Sequence, residues 1–201
     1  MTAFVNLIYD KMPAKIKRVT TPYHGKFTKT CWVAMKQAQR SDNTFKNCNL
    51  CIEIQASGLC LQTVIRDGKS SDPQKPIGIL SKQLQSEKFK SKFISELSKL
   101  GKDYSLVIYR RTDTKGIDRI LPGGERWNQK AWIALDNIDT TSLEFIKQLL
   151  GHIEYPGVTI QREIRRGDPL LTQPKLLINE TIESLTKLDK ILNLIMNQTE
   201  K

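Results

Sequence analysis

The feature that most constrains this chain is a pair of apolar runs around a tight turn: NCNLCIEIQ (47–55), ASG (56–58) and LCLQTVIRDG (59–68). Leu50, Ile52 and Ile54 alternate with Asn49, Cys51 and Glu53. That period of two turns one set of side chains to a core and the other to solvent. Two such runs joined by a short turn predict a β-hairpin. A lone hairpin buries too little apolar surface to fold in water, so other segments must complete the sheet and cover it.

Those segments are readable. FTKTCWVAM (27–35) reads as a strand, and SDNT (41–44) as turn chemistry. Asp67-Gly68 opens a polar loop that closes at Pro76, with Asp72-Pro73 as a turn former. The period then changes. Phe89, Phe93, Leu97 and Leu100 fall on one face at helical spacing, predicting a helix over 81–100 stopped by Gly101. YSLVIYRR (104–111) and AWIALDNI (131–138) read as strands around a long loop. Thr141 and Glu144 have the spacing of a capping box for a helix that runs through Leu150 to Gly151. GVTIQREIRR (157–166) is a further strand, broken by Gly167-Asp168-Pro169. A long helix follows from Lys175 to Gln198, with Leu177, Ile178, Ile182, Leu185, Leu188, Leu192 and Ile195 as its apolar stripe. Residues 1–20 read as an arm or as a short helix after Pro13.

Consecutive strands on short turns predict an α+β fold: a mostly antiparallel sheet, helices packed on one face, and a long C-terminal helix. Residues 1–172 form the expected domain, with 173–201 as a helix packed on it. The chain contains 39% apolar and 26% charged residues, a balance that excludes a disordered class. No run approaches the ~18–20 apolar residues of a membrane span. In MTAFVNLIYDKMPAKIKR the charges follow the apolar run, the reverse of a secretory leader. The expectation is therefore a cytoplasmic chain with no membrane partner and a natural start at Met1.

Charge narrows the function. The net charge is +11, and residues 1–50 hold nine Lys/Arg against Asp10 and Asp42, a balance of +7. Charge concentrated in one quarter of a chain attracts phosphate backbones by counterion release. Basic and aromatic residues interleave from Tyr23 to Arg40, in the loop before the 27–35 strand and beyond it. Lys26, Lys29, Lys36, Arg40 and Lys46 are the candidate phosphate contacts, with Arg126 second. Trp127, in the 112–130 loop among polar neighbours, is the candidate for base stacking.

Two other chemistries have candidates. Glu53-x-Gln55, with Asp42 upstream, has the layout of a Mg²⁺-dependent nuclease, in which two residues on one strand face converge on a metal that activates water. Here Gln stands where such sites usually have Lys. Cys31, Cys48, Cys51 and Cys60 are the candidate thiolates for zinc. However, Cys48 and Cys51 lie three apart on a predicted strand and so point to opposite faces. They read as buried small apolar residues, and the expectation is no resident cofactor. His24 and His152 lack a neighbouring acid and nucleophile, and Gly123-Gly124 lacks phosphate-loop spacing.

The segment HGKFTKTCWVA resembles part of the N-terminal DNA-binding modules of modification-dependent restriction GTPases of the McrB type. The matching residues are Gly25, Phe27, Thr28, Trp32 and Ala34, followed by the 47–66 strand pair. The resemblance covers some ten residues closely and about forty loosely. It implies an α+β module that binds DNA, in several cases by flipping a modified base into an aromatic pocket. No pocket residue is carried over, and the absence of GTPase motifs restricts the resemblance to the reading module. The expected function is nucleic-acid binding, with DNA in a restriction or defence setting as the partner. The alternatives are the Mg²⁺-dependent nuclease and a non-enzymatic protein that binds a partner, or itself, through the C-terminal helix.

Overall fold

A computed structural model describes residues 2–14, 20–26, 31–37, 48–66, 68–110, 131–153 and 156–196. The fold is α+β, with antiparallel strand pairing and a long C-terminal helix. The chain divides into two compact units. One holds Met1–Val64 with Ile160–Leu194, and the other holds Ile65–Thr159 with Ile195–Lys201.

The first unit opens with helix α1 (Thr2–Lys11), ahead of Pro13; residues 15–19, where a helix after Pro13 would run, lie outside the described residues. Ile8 and Met12 bury its inner side. Strands β1 (Thr20–Lys26), β2 (Cys31–Gln37), β3 (Cys48–Gln55) and β4 (Gly58–Arg66) follow, and β7 (Pro156–Arg165) returns beside β4. The strand order in this unit is β1-β2-β3-β4-β7. β1 corrects the reading of Tyr23, His24 and Lys26 as loop residues. TTPYHGK has no apolar alternation and contains Pro22, so pairing with β2 along its whole length makes it a strand. As an edge strand it tolerates the missing proline N–H.

The β3–β4 hairpin forms where the alternation predicted it, but burial does not follow the alternation throughout: Ile54, expected in the core, is exposed. Leu50 and Ile52 are buried as expected, and Cys51 on the other face is buried as well. β4 is buried from Leu59 to Ile65, on both faces. Gly58 is required at the start of β4. Its φ is +141°, and a Cβ there would stand well inside contact distance of the Ile164 carbonyl oxygen. Next to it, Arg166 N–H donates to the Ser57 carbonyl (2.6 Å). Asp168 then caps a short 3₁₀ turn (Pro169–Thr172), its Oδ1 accepting from Leu170 N–H at 2.8 Å. The C-terminal helix, Pro174–Met196, buries Leu185, Leu188 and Leu192. Arg162 on β7 donates to Glu180 (2.6 Å) and Ser184 (3.0 Å) on that helix.

The second unit holds β5 (Tyr104–Arg110) and β6 (Ala131–Ala134), paired antiparallel from Ser105 opposite Ala134 to Ile108 opposite Ala131. β6 is shorter than AWIALDNI suggested. Asp136-Asn137 turns the chain outward while Leu135 and Ile138 stay buried. The helix expected over 81–100 is two helices. α2 (Pro76–Gln83) begins with proline in its first turn, where the N–H would be unpaired in any case. α3 (Glu87–Ser98) starts at Ser86, whose Oγ accepts from Phe89 N–H. Phe93 is fully buried and stacks on Phe89 at 5.2 Å. α4 (Thr140–His152) has a capping box two residues earlier than read. Asp139 Oδ1 accepts from Ser142 N–H at 2.7 Å, and Asp139 N–H donates to Ser142 Oγ. Gly151 lies inside the last turn, and His152 Nδ1–H donates to the Gln148 carbonyl (2.7 Å). The C-terminal helix is numbered α5. No helix among the described residues is long and apolar enough to cross a membrane.

Candidate nucleic-acid interface

The register of the first three strands places the basic quarter of the chain. β1 pairs with β2 from Thr20 opposite Gln37 to Lys26 opposite Cys31. β2 pairs with β3 from Cys31 opposite Ile54 to Lys36 opposite Asn49. Lys26 and Lys36 therefore stand at opposite ends of the ladder. Five residues of β2 separate the two register positions, about 17 Å at ~3.3 Å per residue. The interleaved stretch from Tyr23 to Arg40 is not one cluster. Lys29, Arg40, Lys46, Arg126 and Trp127 lie outside the described residues, as does Asp42.

The end of the sheet that holds Lys26 gains two cations that sequence reading passed over. β3 runs from Cys51 toward Ile54, opposite Cys31, and into the Ala56–Ser57 turn. Arg166 N–H bonds to Ser57 there, so Arg165 and Arg166, both exposed, end β7 at this same edge of the first unit. The signal in REIRRGDP was two adjacent arginines at the terminus of an alternating run, just before a Gly-Asp-Pro break. Strand order puts four inter-strand spacings between β1 and β7. At ~4.8 Å each, the end from Lys26 to Arg165 is about 19 Å wide. Duplex DNA presents about eleven charges over that length, at ~1.7 Å per charge.

Glu53 is half-buried and stands opposite Trp32 in the register. Its Oε2 accepts from the Gln62 amide of β4 at 3.0 Å, so one carboxylate oxygen already has a neutral donor. Gln55 closes β3; its side chain lies outside the described residues. Cys51 and Cys60 are both buried thiols. Cys31 sits opposite Ile54, three positions from Cys51, and Cys48 is three positions from Cys51 in the other direction. Each step of three is about 10 Å of strand. Among the described residues no group of three or more His, Cys, Asp or Glu converges as metal ligands would.

Shifted ionisations lie elsewhere. Lys90 is buried in the second unit, with Nζ 2.5 Å from Glu87 and 3.0 Å from Glu144. The hydrogen bond to Glu87, and then that to Glu144, raises its pKa above the usual lysine value. The same Lys90 contact holds the Glu144 carboxyl below its usual range. Hydrogen bonds from Ser142 do the same for Asp139. All three groups tie α3 to α4 or cap α4, and their shifts follow from those structural contacts. No protein-family model and no curated protein matches this sequence.

Proposed function

We propose that this chain is a nucleic-acid-binding protein whose partner is DNA, acting as the reading module of a restriction or defence system. The observation that carries the reading is charge placement. Residues 1–50 have a balance of +7, and the sheet end that bears Lys26 also bears Arg165 and Arg166. Cations spaced along one strand end can meet successive phosphates from a shared backbone frame. Lys26, Lys29 and Arg165 are the primary phosphate contacts. Lys36, at the far end of the ladder, and Arg40, Lys46, Arg126 and Trp127 are further candidate contacts that rest on the sequence alone. The likeness of Gly25, Phe27, Thr28, Trp32 and Ala34 to McrB-type reading modules favours DNA and a restriction setting.

The test is charge neutralisation read through salt dependence. Each phosphate contact removed should reduce the slope of log K against log salt by about 0.9 for duplex DNA. Replacing Lys26 and Arg165 together by glutamine should therefore lower it by about 1.8. A doubly substituted protein with the wild-type slope would overturn this interface.

A further inference from the structure

The first unit contains a cleft of about 410 Å³, open on one side and lined mainly by apolar side chains. Phe4 of α1, Ile54 at the end of β3 and Leu59 of β4 form part of its wall. Leu171 of the 3₁₀ turn and Leu177 in the first turn of α5 complete it. The volume lies within the usual range for small-ligand sites, about 300–1,000 Å³. Its walls are held in place. Leu171 follows the Asp168 cap, Leu177 N–H donates to the Gln173 carbonyl (2.9 Å), and the close approach at Gly58 locks the hairpin to the end of β7. Ile54 remains 38% exposed, and adjoining Leu176 is 50% exposed, so this part of the unit offers apolar surface to a ligand.

One charge sits among these walls. Among the described residues Arg166 is the only ionisable one in the lining, with no Asp or Glu beside it. Arg166 enters no ion pair among the described residues, while its backbone is fixed by the bond to Ser57. An apolar trough with one guanidinium suits a ligand with an apolar body and a single anionic head, since guanidinium matches carboxylate in a two-bond fork. The volume sets the length. At about 30 Å³ per methylene-sized unit, the share of one water, the cleft holds about a dozen carbon atoms.

We propose that this cleft binds an alkyl carboxylate of about ten to fourteen carbons, its chain between Phe4, Leu59 and Leu177 and its carboxylate on Arg166. The proposal is independent of nucleic-acid binding. The experiment is calorimetric titration of the whole protein with dodecanoate below its micelle-forming concentration, with dodecyltrimethylammonium as the charge-reversed probe. Wild type binds one dodecanoate. Arg166→Glu weakens dodecanoate at least tenfold and leaves dodecyltrimethylammonium unchanged or tighter. Ala56→Trp or Leu171→Trp, whichever keeps the wild-type urea midpoint, fills the cleft and reduces binding of both probes at least tenfold. Absence of saturable binding, more than one chain per protein, or an unchanged dodecanoate affinity in Arg166→Glu overturns the proposal. A dimer by light scattering that Ala56→Trp dissociates also overturns it, because a second copy would then occupy the cleft.

Discussion

Replacing Gly58 by alanine tests how the first unit is closed. Two costs add at this position. The backbone φ of +141° disfavours any side chain, at about 1–2 kcal/mol. The new Cβ would also lie inside contact distance of the Ile164 carbonyl oxygen and 3.0 Å from the Cα of Arg165. Both are backbone atoms, so no rotamer change relieves the overlap. Restoring an ordinary separation of about 3.5 Å requires β4 and β7 to part by roughly 1.4 Å. That movement breaks the hydrogen bond from Arg166 to Ser57, worth about 0.5–1.5 kcal/mol more. The expected loss is about 2–4 kcal/mol in all. Gly167 is the control within the same unit, with φ +94° and no atom within 4 Å of a built Cβ. Its alanine variant should lose only the conformational part, about 1–2 kcal/mol. Each substitution reduces the entropy of the unfolded chain equally, so that effect cancels between them. Urea unfolding at equal m-value reads the difference. Losses agreeing within about 0.5 kcal/mol, the usual scatter of surface substitutions, would refute the close approach of β4 and β7.

Four further outcomes follow from the packing and the charges. Phe93→Ala removes a fully buried ring stacked on Phe89 and should cost about 3–5 kcal/mol in urea unfolding, the range for such truncations; a loss below 1 kcal/mol would contradict its burial. Glu144 and Asp139 have lowered pKa values, so their stabilisation is present above the unfolded carboxyl value of about 4 and fades as pH falls through the folded values. Glu144→Gln should flatten the acid limb of a stability–pH profile. At the alkaline end, the raised pKa of Lys90 gives stabilisation that is complete below about 10.4 and is lost as pH rises through the folded value. Ending the chain at Thr172 exposes the surfaces that Leu185, Leu188 and Leu192 cover, and should abolish cooperative unfolding of the first unit by circular dichroism; a truncated protein with a wild-type transition would make α5 an appendage.

Much of the fold was legible because its signals were local. The ASG turn between alternating runs specified the β3–β4 hairpin, and the α5 stripe specified a helix whose Leu185, Leu188 and Leu192 are buried. The failures came where partners or competing caps decided. β1 has weak strand chemistry, and its strand state comes from pairing along β2. Pro76 reads equally as the end of a loop and as the first turn of a helix. In Asp-Thr-Thr-Ser-Leu-Glu, two overlapping capping templates compete, and the carboxylate of Asp139 accepts the amide more strongly than a Thr141 hydroxyl would. The candidate interface was legible only as a charge excess. Sequence order hid that Lys26 and Lys36 are separated by a strand length, and that Arg165 and Arg166, about 140 residues from Lys26, return to its end of the sheet.

The most direct test of the central claim is binding of a labelled DNA duplex across a salt series, followed by fluorescence polarisation, with parallel lanes containing Mg²⁺ on a gel. Saturable binding to DNA that stays intact is expected. Log K should fall linearly with log salt, with a slope of about −2.7 or steeper if Lys26, Lys29 and Arg165 each neutralise one phosphate. Binding that is absent at low salt, or present with a slope near zero, would contradict it and leave the basic quarter as solvated surface.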